Sequence, residues 1–204
     1  MAASYTGHRG VIRHDGSTDA AWKNFVCGHC GRPVGGAVIA ESSDARWLWC
    51  PACGEPSVED SSRRIHPAAA FGFPLEGLPP EVEAAYDEAR RCMSAGAYTA
   101  AELVCRKLLM HVAVDKGATP GESFQFYLDY LESKGYITPP MKRWVDLVRE
   151  HGNKATHELE APDQKRAEST AMFTAELLRI VYEMEHKARR YQVEAAPADT
   201  KGGL

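Results

Sequence analysis

Two Cys-x-x-Cys pairs carry the most specific chemistry in this chain: Cys27 and Cys30 in FVCGHCGR, then Cys50 and Cys53 in WLWCPACGE, with nineteen residues between the pairs. That is the ligand spacing of a tetrahedral four-cysteine zinc site. Each pair reads as a tight turn, in which Gly28, Gly31 and Gly54 let backbone amides approach the thiolates and Pro51 fixes the second turn. The competing chemistry is a pair of disulfides in a secreted domain. No signal peptide precedes the motif, and paired knuckles favour metal. Because the protein supplies all four ligands, no position is left for water or substrate, and the expected zinc is structural. His29, His8 and His14 are alternative ligands by residue type only, since the thiolate set is already complete.

A second group of chemically capable residues lies in Arg149-Glu-His151-Gly-Asn153-Lys-Ala-Thr156-His157. On an unbroken helix, Arg149, Asn153 and His157 fall at i, i+4 and i+8, along one face. Gly152, however, reads as a helix C-cap that interrupts them. The structural reading of the same residues has Asn153 capping the turn, His157 as a hydrogen-bonded core histidine and Arg149 paired with an acidic neighbour.

The elements that position these groups follow from periodicity and punctuation. Residues 1–24 form an N-terminal arm, whose Trp22 is expected to pack, with Phe25, on a zinc ribbon spanning 25–60. The ribbon strands are Val34 to Ala40 and Arg46 to Trp49. A domain of this size buries too little apolar surface to fold alone, so the metal supplies on the order of 10 kcal/mol. Residues 61–78 are a proline-containing linker, and the phenylalanines of Phe71-Gly-Phe73 are expected to dock on the next domain.

From residue 79 to 192 the period becomes helical. The expected helices start at Pro79 and end at Gly96, run from Ala97 to Gly117, from Ser123 to Lys134, from Pro139 to Gly152, and from about Pro162 to Tyr191. The last carries an apolar stripe of Phe173, Leu177, Val181, Met184, Ala188 and Tyr191. Cys92 and Cys105 fit as small buried apolar residues. The tail 193–204 is expected to be disordered. The fold class is therefore a small β zinc ribbon followed by an all-α bundle.

The run AYDEARRCMSAGAYTAAELVCRKLLMH, then REHGNKATH, then the long final helix, resembles the bacterial domain of unknown function 4145 family over about residues 79–190. The resemblance implies a HEPN-like helical domain that dimerises, and HEPN proteins include metal-independent ribonucleases with an Arg-x4–6-His motif, common in toxin and phage-defence systems. Here Arg149 and His157 have seven residues between them. In the register of an Arg-Asn-x3-His motif, Asn153 and His157 match, but Gly152 stands where arginine belongs. The arginine would come from Arg149 or from Arg106. In such a site His157 exchanges protons near neutral pH, Arg149 holds the phosphate through its planar fork, and Asn153 orients either group.

Composition narrows the functions. Net charge is −4, and the excess acid lies in the second half of the chain. Residues 1–74 hold seven basic and seven acidic side chains, so bulk charge does not make this a nucleic-acid coat. No run approaches the eighteen or so apolar residues of a membrane span, and the cytoplasm is the expected compartment. The leading reading is a zinc-containing interaction or nucleic-acid-binding module, homodimeric, with RNA, DNA or a protein of a defence system as partner. The alternatives are a HEPN-type endoribonuclease using Arg149 and His157, and a DNA-binding ribbon regulator in which Arg32, Arg46, Arg63 and Arg64 act with Trp47 and Trp49.

Overall fold

The computed structural model describes residues 11–13, 18–19, 21–157 and 161–194, with the side chains of 11–13, 18–19, 151–157 and 193–194 excepted. The chain divides into two compact units, Met1–Phe71 and Gly72–Leu204. His8, His14 and the tail from residue 195 lie outside the described residues.

The first unit is one sheet built from β1 (Val11–Arg13), β2 (Thr18–Asp19), β3 (Trp22–Val26), β4 (Pro33–Glu41), β5 (Ala45–Trp49), β6 (Pro56–Asp60) and β7 (Ile65–His66). Their order is β2-β1-β4-β5-β6-β7, with β3 also paired to β4. Neighbours are antiparallel except β1 and β4, which run parallel. Register sorts the side chains by face. Val38 pairs with Leu48 and Leu48 with Ser57, and Val38 and Leu48 join Phe25, Cys27 and Cys50 in the unit's core. Trp22 pairs with Ala37, and Ala37 with Trp49, so these three stand on the opposite face together with Trp47, two residues from Trp49.

That alternation corrects one expectation. Phe25 is buried at 8% exposure, but Trp22 is 70% exposed and Trp47 40%. On β3 the two aromatics are three residues apart and point to opposite sides, so only one of them can reach the core. Glu59 is buried on the core face, where Lys23 at 2.8 Å and Arg46 at 3.2 Å compensate it. Lys23 above all holds the Glu59 carboxyl below its ordinary value.

The second unit is all-helical: α1 (Pro80–Ser94), α2 (Tyr98–Asp115), α3 (Phe124–Ser133), α4 (Lys142–His157), α5 (Gln164–Leu178) and α6 (Met184–Glu194). A π-helical turn, Arg179–Glu183, joins α5 to α6. Local chemistry sets the ends. Pro80 and the acidic Glu81 and Glu83 open α1, the Ser123 hydroxyl accepts from the Phe126 amide to cap α3, and the Asp163 carboxylate accepts from the Arg166 amide to cap α5. Leu108, Leu109, Val112, Leu128, Leu131, Val145, Phe173 and Leu177 form the core. Glu102 on α2 is 4% exposed and is held by the Arg166 fork at 2.9 and 3.0 Å, which ties α2 to α5.

The expected linker is shared out. Ile65–His66 pairs with β6 as β7, whereas Leu75 is buried in the helical core and Phe73 packs on it, with the Arg179 guanidinium 4.2 Å from the Phe73 ring. A second correction concerns Gly152. Helix α4 runs through it to His157. Val145 and Val148 anchor α4 in the core, and one interior glycine costs only about 1 kcal/mol of helix propensity.

Candidate metal centre and the α4 face

The two cysteine pairs sit in knuckles of matching geometry. In the first, the Gly31 amide donates to the Cys27 carbonyl at 2.8 Å and the Cys27 amide to the Arg32 carbonyl at 3.0 Å. In the second, Gly54 donates to Cys50 at 2.8 Å and Cys50 to Glu55 at 3.1 Å. Gly31 and Gly54 have φ of 68° and 80°, the left-handed region in which glycine is unstrained. Gly28 has a different role: a Cβ there would lie 1.9 Å from the Pro67 carbonyl oxygen, so the 67–68 segment can cross the knuckle only over a glycine.

All four sulfurs lie within 4.8 Å of one another. Cys27 and Cys53 are separated by 3.8 Å, and Cys30 and Cys50 by 3.9 Å. A tetrahedral ion with metal–sulfur bonds of ~2.3 Å needs sulfur–sulfur edges of ~3.8 Å, so the set fits. None of the four is in a disulfide. The amides of Cys30 and His29 point at the Cys27 sulfur, and those of Cys53 and Ala52 at the Cys50 sulfur.

Their thiols respond differently. Burial pushes the Cys27 thiol up. At Cys50 burial is outweighed by the Cys53 and Ala52 amides, and the thiol falls to about 7. At Cys53 the Glu55 amide pulls downward, but burial and the neighbouring thiols of Cys50, Cys27 and Cys30 win, and the thiol is pushed up to about 12. Four sulfurs in this space can all be thiolates only if a cation sits among them. His29 is occupied elsewhere, its Nε2 lying 3.0 Å from the Pro56 carbonyl. Every ligand position of a tetrahedral ion is therefore filled by sulfur.

Helical continuity through Gly152 places Arg149, Asn153 and His157 at i, i+4 and i+8 of α4, along one face of the backbone. The side chains of Asn153 and His157 lie outside the described part of the structure. Arg149 is described, and its guanidinium is surrounded by acid: Asp129 at 2.5 Å, Asp146 at 2.9 Å and Glu132 at 3.4 Å. Glu132 also accepts from Lys142 at 2.7 Å, which chiefly holds its carboxyl below the ordinary value. Arg106, the other arginine considered, stacks over Phe124 with its guanidinium carbon 4.3 Å from the ring centre. Cys105 is buried, and Cys92 is half-buried.

The fold and site define a class: a sheet held around a closed four-cysteine site, followed by a helical domain. Residues 87–194 match the family model described as Domain of unknown function (DUF4145), and the chain belongs to that family. No curated protein and no solved structure matches it. Among the described residues no helix is long and apolar enough to cross a membrane.

Proposed function

We propose that this protein is a zinc-containing binding module whose sheet engages single-stranded nucleic acid by stacking and whose HEPN-like helical domain pairs with a second copy. The observation that carries the reading is the exposed tryptophan face. Trp22 and Trp47, at 70% and 40% exposure, stand on the side of the sheet away from the thiol core, with Trp49 between them in register. Base–aromatic stacking is worth about 1–3 kcal/mol per base and tolerates any sequence. The balanced charge of residues 1–74 makes stacking, rather than phosphate neutralisation, the main source of affinity, so the salt dependence is shallow. Zinc, rather than another metal, follows from four soft thiolate ligands in a tetrahedral set. Titration of a labelled single-stranded oligonucleotide tests the reading, with Trp22→Ala and Trp47→Ala each weakening binding. Equal affinity for wild type and both variants rejects it.

Pairing rests on α6. The upper part of the final stripe packs inside its own unit, but Met184 and Tyr191 are 58% and 70% exposed. A second reading, RNA cleavage by Arg149, Asn153 and His157, is favoured by the helical continuity of α4. It is opposed by the three carboxylates around Arg149, which compete with a phosphate for the same fork.

A further inference from the structure

A groove of about 420 Å³ runs along the outer side of α2 against the Pro120-Gly121 loop, separate from the metal centre and from α4. Its floor is aliphatic: Leu103, 46% exposed, with half-buried Met110 and Val114 at i+7 and i+11. At 1.5 Å per residue that floor extends for ~16 Å, about three helical turns. Arg106, Lys107 and His111 rim it, and no carboxylate is among the lining side chains. The nearby Asp115 is engaged by the Tyr182 hydroxyl and by Lys116, both at 2.9 Å.

We infer that this groove docks an acidic amphipathic helix of a partner protein. An apolar floor at helical spacing accepts the apolar stripe of a helix, and the two cations at its rim, Lys107 and Arg106, select glutamates or aspartates beside that stripe. The same cations disfavour a second copy, because a two-fold contact through α2 sets each rim against its own likeness within a Debye length of ~10 Å. They do not make a nucleic-acid site either. The floor is aliphatic, and its one aromatic ring, Tyr127, is buried at 2% exposure and offers no stacking face. The surface lies wholly within the helical unit and does not depend on the tryptophan face.

The test uses the full chain and two fluorescein-labelled synthetic helices with the same leucine stripe, one flanked by glutamates and one by lysines. Fluorescence polarisation is expected to show saturable binding of the glutamate helix, at least about 10-fold tighter than the lysine helix. Leu103→Asp is expected to abolish binding, and Lys107→Glu to narrow or reverse the preference. Both positions are exposed, and circular dichroism checks that each variant is folded. The inference is overturned by absence of saturable binding of the glutamate helix up to 1 mM, by equal affinity for both helices, or by indifference to Leu103→Asp. It is equally overturned if Leu103→Asp abolishes self-association of the chain, or if a single-stranded oligonucleotide displaces the bound helix.

Discussion

The sulfurs of Cys27 and Cys53, 26 positions apart in sequence, lie 3.8 Å from one another, the edge length of a tetrahedral metal thiolate. That relationship exists only because the two knuckles close on each other across the sheet, so removing the ion should undo the unit. Fresh protein is expected to contain about one zinc per chain, and Cys50→Ser to lose it. Chelation should abolish the near-ultraviolet signal of the sheet tryptophans while leaving most helical signal in place, since the helical unit has its own core. Metal-free protein with an intact sheet signal would refute this.

Arg149 supports a sharper distinction. The Arg149 side chain is 19% exposed, but its partners Asp129 and Asp146 are more than half exposed, and losing these pairs in Arg149→Ala should cost about 1 kcal/mol. His157→Ala is expected to lower stability by about 1–3 kcal/mol if the ring serves a buried partner. Melting temperature and RNA cleavage measured on the same two variants separate the readings. Abolished cleavage with unchanged melting would establish a catalytic site.

Glu183 gives the helical unit an acid limb. It is 5% exposed, and burial alone would raise its carboxyl, but Lys187, the Glu76 amide and Arg179 outweigh burial and hold it below the ordinary value. A depressed folded pKa stabilises the fold above the unfolded value of ~4.3, and that stability is lost as pH falls through the folded pKa. Wild type should therefore melt above Glu183→Gln at neutral pH, with the gap closing below about pH 4. A gap independent of pH would show that ionisation of Glu183 contributes nothing.

Met184 and Tyr191 predict the oligomer. Light scattering at tens of micromolar should give a dimer, the range where an interface of about 7 kcal/mol still holds. Met184→Asp should give a monomer of unchanged helicity, because the side chain is 58% exposed. A wild-type monomer at that concentration argues against pairing.

The parts of this molecule legible in its sequence are those with local causes. The cysteine spacing, the strands Pro33–Glu41 and Ala45–Trp49, and the helix starts at Pro80, Ser123 and Asp163 each rest on residues within a turn or two. β6 is hidden because Pro56-Ser-Val-Glu-Asp60 looks polar, yet Ser57 and Glu59 are the inward residues, with Glu59 made tolerable by Lys23 from a distant strand. Gly152 misleads for the reciprocal reason: its cap-like character is local, and core anchorage of α4 overrides it. Gly28 is readable as a tight turn, but its need for glycine comes from Pro67, thirty-nine positions away.

A time-resolved anisotropy titration of labelled single-stranded RNA with the zinc-loaded protein tests the central claim most directly. A binding module predicts a saturable rise that stays constant with time and is diminished in Trp47→Ala. Anisotropy that never rises, or that rises and then decays as the RNA is cut, would contradict it.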